Sequence, residues 1–267
     1  MRRVPGTGGA LLAGVLAAGL ALPACKSQVE KPLGESPLVA DLVDYRNGLA
    51  MLQEGRADDA IELLMAARAA NPTDPNVVNA LGLAFLYKKD YPRAIKSFDA
   101  ALDLQADFWE ALNNRGVTYL SMGNLDLAEK DFNAVLDKAP NSGVKDARFN
   151  RGLLASKRER WADAERDFTL VVADDAFNTR AFKERGLVRL RLENFSGALE
   201  DFLRVLKDDP KDVVANYNAA LCLIASSRRD LALRYMERAA ESAPESEEGK
   251  KAKRFLESEP SSSKGAR

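Results

Sequence analysis

The stretch Asn76–Leu104, NVVNALGLAFLYKKDYPRAIKSFDAALDL, recurs in kind at Phe108–Pro140, FWEALNNRGVTYLSMGNLDLAEKDFNAVLDKAP. The shared register runs through most of the chain. Gly48, Gly82 and Gly116 stand 34 residues apart; Gly152 follows 36 later, across the loop at Asn141–Gly143, and Gly186 another 34 on. Ala220 holds the same place in a sixth unit. Twelve residues after each comes Ala60, Ala94, Ala128, Ala164, Ala198 or Ala232. Four further on stands Leu64, Phe98, Phe132, Phe168, Phe202 or Met236, and three beyond that Ala67, Ala101, Val135, Val171, Val205 or Ala239. Prolines close four units, at Pro72, Pro140, Pro210 and Pro244.

Each unit carries two apolar patterns of helical period with a polar or glycine-bearing break between them, as in SMGN and LQEGRA. A helix of about 14 residues is about 21 Å long. Two such helices cannot bury their apolar faces alone, so successive pairs must stack. The small residues let axes approach, and the phenylalanine fills the neighbouring gap. The pattern resembles the tetratricopeptide repeat over residues 41–246. The resemblance implies an all-α, right-handed α-solenoid of six repeats (41–74, 75–108, 109–142, 145–178, 179–212 and 213–246) with a concave inner surface. Residues 247–258, with Phe255 and Leu256 as apolar contacts, read as a capping helix for an open end. Residues 259–267 read as a disordered tail.

The amino terminus has a different character. Arg2 and Arg3 precede an uncharged apolar run from Ala10 to Leu22, too short to span a bilayer and suited to the core of a secretory signal over 1–24. It ends Leu22-Pro23-Ala24-Cys25, which resembles the bacterial lipobox, so Cys25 is expected to carry a covalent lipid. The alternative is an ordinary secreted protein in which Cys25 is a bystander. Acylation contributes about 0.8 kcal/mol per buried CH₂, and two or more chains anchor a protein stably. In such lipoproteins an aspartate after the cysteine implies retention in the inner membrane. Here Lys26 and Ser27 follow, implying the periplasmic face of the outer membrane. Residues 25–40, with two prolines and a glycine, read as a flexible linker.

The 267 residues hold 39 basic and 40 acidic side chains, so the whole molecule is no electrostatic magnet for nucleic acid. The chain has no histidine and two cysteines, which removes the commonest general base, the commonest metal ligand and any zinc cluster or disulfide framework. No catalytic constellation is visible, and no metal or cofactor is expected beyond the lipid on Cys25. Cys222 reads as a small buried apolar residue, and Trp109 and Trp161 as packing residues at helix starts. The basic turn Lys157–Arg160 reads as a solvated face. Lys250, Lys251, Lys253 and Arg254 make the last helix basic, with weak headgroup contact as an alternative role.

Three units place an arginine before the glycine, at Arg115, Arg151 and Arg185, and the same three carry an aspartate sixteen residues later, at Asp131, Asp167 and Asp201. The other units have neither: Asn47 with Leu63, Leu81 with Ser97, Ala219 with Tyr235. A guanidinium stripped of water between helices needs a carboxylate, so each arginine is expected to meet an aspartate of its own unit or the next. Binding of an anionic ligand is the alternative.

The resemblance places ligands against the first helix of each unit. The inward positions begin after the glycine with Leu49, Leu83, Val117, Leu153, Leu187 and Leu221. Three further on are Leu52, Leu86, Leu120, Ser156, Leu190 and Ile224; three before the glycine are Tyr45, Asn79, Asn113, Phe149, Lys183 and Tyr217. Chaperone-binding members carry asparagine after the glycine of their first repeat and grip a terminal carboxylate; here that position is aliphatic throughout. An apolar groove suits an amphipathic helix or extended apolar segment of a protein partner. The competing account is that these leucines pack helix on helix; an exposed patch of that size would mark binding or self-association. Lipobox, linker and six repeats resemble the pilotin lipoproteins of type IV pilus systems, which implies a secretin subunit as partner. The alternative is a lipoprotein adaptor for peptidoglycan hydrolases or an outer-membrane assembly complex.

Overall fold

The computed structural model describes residues 41–139 and 143–259. Within them lie thirteen α-helices and no strand: α1 Asp41–Gln53, α2 Ala57–Ala70, α3 Pro75–Tyr87, α4 Tyr91–Leu104, α5 Trp109–Met122, α6 Leu125–Lys138, α7 Val144–Lys157, α8 Trp161–Asp174, α9 Thr179–Arg191, α10 Phe195–Asp208, α11 Val213–Ala225, α12 Arg229–Ser242 and α13 Glu247–Glu257. Cys25, the signal and linker readings, and the tail from residue 260 lie outside the described residues.

The chain divides into two compact units, one ending at Ala111 and the other beginning at Leu112, in the first turn of α5. In the first, α1 packs on α2, α2 on α3 and α3 on α4, with α1 also touching α3. In the second, each helix from α6 packs on the next through to α13, and α11 also meets α13. This is the consecutive pairing of a tetratricopeptide-repeat array.

The conserved register explains the packing. All eighteen alanine, bulky and second small positions of the second helices are at most 1% exposed, as an apolar stripe at i, i+4 and i+7 requires. The five glycines exist for the bulky residue sixteen places on. A Cβ at Gly82 would sit 2.5 Å from Phe98 Cε1, and at Gly116, Gly152 and Gly186 it would meet the ring of Phe132, Phe168 or Phe202 at 2.7–2.9 Å. At Gly48 it would meet Leu64 Cγ at 2.7 Å. The sixth unit solves the contact differently: Ala220 supplies the methyl and a flexible methionine, Met236, takes the ring's place in the same core cluster.

Among the described residues, six helix starts are held by side-chain caps. Asp74, Asp90, Asn178, Asn194, Asp212 and Ser246 accept from backbone N–H groups of the following first turn. Every turn inside a pair ends on one left-handed residue: Gly55, Lys89, Gly123, Glu159, Glu193 and Ser227, with φ between 57° and 83°. Only two of these six are glycine, so four turns carry the Cβ penalty of that conformation. The capping helix α13 buries Ala252 and lays Phe255 and Leu256 against the core of α11 and α12. The expected tail is corrected at its first residue: Glu259 is buried and ion-paired to Arg229, whose guanidinium contacts both its carboxylate oxygens, so the folded part includes it.

Candidate functional site

The inward positions lie on the first helix of each pair, and most are less open than the sequence suggests. Leu49, Leu52, Asn79, Leu83, Leu86, Asn113, Val117, Leu120 and Phe149 are buried. The expectation of a solvent-open leucine row is therefore corrected for α1, α3 and α5. α3 packs on both α2 and α4, and Leu83, one place past its glycine, is fully buried there. Tyr45, Leu153, Leu187, Leu190, Tyr217, Leu221 and Ile224 are part-exposed. Leu153 leans on the α7–α8 core, Leu187 and Leu190 on the α10–α11 core, and Tyr217, Leu221 and Ile224 on the last core.

This part-exposed set is interleaved with ions. Arg148 reaches Asp174 at 3.1 Å, Lys183 reaches Asp212 at 2.8 Å, and Arg180 lies over the Phe149 ring at 4.8 Å. Loss of water lowers the Arg180 pKa and pushes that of Glu184 up to about 7, against the opposing pull of Lys183 and Arg180. The first helices from α7 to α11 thus offer apolar edges between charges, a surface suited to an amphipathic segment.

The three arginines before the glycines each close on the aspartate of their own repeat. Arg115 donates through Nε and Nη2 to Asp131 at 2.8 Å each; Arg151 meets Asp167 at 2.8 and 2.7 Å; Arg185 meets Asp201 at 3.0 and 2.7 Å. The carboxylates are 5%, 4% and 2% exposed. The fork of the guanidinium matches the two oxygens, the strongest geometry such a pair can adopt. The Asp167 hydrogen bond raises the Arg151 pKa further. Sequence pairing did not reveal a third partner: the free Nη1 turns back to the preceding repeat, to Asn133 Oδ1 at 2.9 Å from Arg151 and to Thr169 Oγ1 at 3.3 Å from Arg185. Each of these two arginines therefore ties three helices together. Arg189 extends the last group, bridging Asp201 at 2.9 Å and Glu165 at 2.8 Å.

The basic turn Lys157–Arg160 is not a solvated face, which corrects that reading. Arg158 pairs with Asp126 and Glu129, and Arg160 with Glu129, so the turn closes a four-residue cluster against α6. The signal that could have found it is an acid directly after the invariant alanine, at Glu129 and again at Glu165. The carboxylates of the inter-repeat turns are also engaged. Asp175 and Asp209 cap the turns that follow them, and Asp208 accepts from Arg204 and Thr179. Cys222 is fully buried and burial pushes its thiol up to about 12, which makes it inert. Trp161 begins α8 and packs on the α7–α8 core beneath Arg191. Among the described residues no group of three acids or thiols is placed to hold a metal ion, and no helix is long and apolar enough to cross a membrane.

The family model of the tetratricopeptide repeat matches this chain at residues 79–143, 120–179, 149–212 and 183–247, more than half its length. Protein FlbA of Caulobacter vibrioides is 34% identical over 142 residues, 50% of this chain and 24% of FlbA. The chain spans about a quarter of the length of the curated relatives it matches. Among solved structures, pilF of Pseudomonas aeruginosa aligns with a TM-score of 0.72 at 16% identity, covering 81% of this chain and 98% of that one. PilW, described as a widely conserved type IV pilus biogenesis factor, aligns with a TM-score of 0.71 at 18% identity, over 81% and 99%. At these identities the likeness is one of fold.

Proposed function

Because the chain belongs to the tetratricopeptide-repeat family, whose arrays are scaffolds for protein–protein contact, we propose that it is a non-enzymatic, lipid-tethered scaffold that assists secretin assembly for type IV pili. The observation that carries this reading is one of extent: the fold of this chain accounts for 98% and 99% of two solved chains, one of them a pilus biogenesis factor. The lipobox-like Leu22–Cys25 supplies the second support. In this reading the acyl chains on Cys25 hold the array at the outer membrane, facing the periplasm. The part-exposed faces of α7, α9 and α11 capture an apolar segment of a secretin subunit. Tethering both at one surface raises their effective concentration toward the millimolar range, which favours assembly without any new contact.

The test has two arms. Mass spectrometry of the protein from its own cells should find lipid on Cys25, and Cys25→Ala should release the protein from membranes. Full-length protein should co-isolate the secretin subunit, and a triple change of Leu187, Leu190 and Leu221 to serine should abolish this. Normal secretin multimers and pili in a deletion strain, accompanied by altered cell shape, would refute the pilus reading in favour of an adaptor for peptidoglycan hydrolases.

A further inference from the structure

The register that carries these arginines frames a notch at two places, each bounded by the second helix of one repeat and both helices of the next. At the fourth repeat Asn133, Arg151, Ala155, Arg166 and Asp167 line it. The Arg151–Asp167 fork fills the middle, and a cavity of about 210 Å³ remains. The same register in the second repeat gives Met65, Leu81, Phe85, Lys96 and Ser97, around a cavity of about 480 Å³. Here the guanidinium and its carboxylate are absent together, and nothing has refilled their place. Leu81 and Phe85 form an apolar floor, 3% and 6% exposed, and Met65 stands open beside it. The Ser97 hydroxyl donates back to the Arg93 carbonyl at 2.9 Å, so it has no hydrogen left to donate into the notch.

The rim of this second notch is cationic. Arg93 is committed, paired with Asp90 and stacked 4.6 Å over Phe85. Arg68 on α2 and Lys96 on α4 line the cavity on two different helices, and neither is held by a carboxylate among the described residues. The volume lies in the range of about 300–1,000 Å³ typical of ligand sites.

We propose that this notch between α2, α3 and α4 receives a short acidic–apolar segment of a partner polypeptide. It rests on the scaffold reading above and names a second contact of the same partner. Apolar side chains of the segment lie on Leu81 and Phe85 while carboxylates on either side of them meet Arg68 and Lys96. A peptide crossing from one helix to the other satisfies both cations at once; a single-headed amphiphile satisfies one. The plugged notch at the fourth repeat shows what closes the site.

The test measures fluorescence anisotropy of the labelled peptide GDLFDG titrated with the full chain. Wild type should bind it saturably, and GKLFKG at least about tenfold more weakly. The variant Leu81→Arg with Ser97→Asp copies the fourth repeat and should lose binding. Should that variant not fold, Arg68→Glu with Lys96→Glu decides the matter: it should reverse the preference, taking GKLFKG over GDLFDG. Absence of GDLFDG binding to wild type overturns the proposal, as does equal binding by the plugged variant or an unreversed preference after the charge swap. Displacement of the peptide by dodecanoate makes the notch an amphiphile site and equally overturns it. If the plugged variant co-isolates the secretin subunit as strongly as wild type does, the notch is no contact of that partner and fails while the scaffold stands. If wild type never does, the scaffold fails whatever the peptide shows.

Discussion

Asp167 and Arg151 allow one prediction to be worked through in detail. The Asp167 side chain is 4% exposed and that of Arg151 30%. Removing one partner of a buried pair costs about 3–5 kcal/mol, because the other charge is stranded. The two strandings differ here. Arg151→Leu leaves a carboxylate with almost no access to water and should cost about 3–4 kcal/mol. Asp167→Ser leaves a guanidinium that reaches solvent in part, and Asn133 still accepts from it, so about 2–3 kcal/mol is expected. The double change installs the Leu81–Ser97 combination that the second repeat already tolerates, and about 1 kcal/mol or less is expected. Urea unfolding followed by circular dichroism gives the three values. Amide exchange should confine the loss to the repeats around α6, α7 and α8, since arrays couple only neighbours. A double variant less stable than either single one, or Asp167→Ser costing more than Arg151→Leu, would refute the reasoning.

Three further outcomes follow from the packing and the turns. Gly82→Ala places a methyl 2.5 Å from the Phe98 ring and should destabilise by about 2 kcal/mol; adding Phe98→Met, the arrangement of Ala220 and Met236, should recover much of it in the same urea assay. Glu193→Gly relieves a left-handed residue at φ 57° and should stabilise by about 0.5–1 kcal/mol, whereas the same change at Glu200, within α10, should destabilise by about the same amount. Burial raises the Glu184 pKa to about 7, above its unfolded value, so its contribution is fully present in acid and is lost as pH rises through about 7. Melting temperature measured from about pH 5 to about pH 8 should fall more steeply in wild type than in Glu184→Gln.

The fold was legible because one contact is written six times. A small residue and a bulky one sixteen residues apart, glycine with phenylalanine in four of the six units, leave one way for two helices to meet, and all eighteen second-helix positions are buried accordingly. The arginine–aspartate pairs were legible for a related reason: two residue types that come and go together across repeats mark a contact. Their third partners, Asn133 and Thr169, were not, since those positions change type from repeat to repeat. Nor was the state of the inner rows. Whether Leu83 faces solvent depends on how closely its neighbours approach, and an aliphatic residue suits both outcomes. The substitution of Leu81 and Ser97 was visible in the sequence as a missing pair, but only packing tells whether a missing pair leaves a filled gap or an open one.

The backward reach of Arg151 and Arg185 has a consequence for how such a chain keeps its order. These two junctions are keyed: an asparagine or threonine on one side answers a guanidinium on the other, whereas the notch lined by Met65 and Leu81 holds no such pair. A repeat moved out of turn would set a polar tooth against an oily slot. Near-copies lying in tandem are prone to mispair and swap as they fold, and these alternating keys let the molecule tell one copy of itself from another.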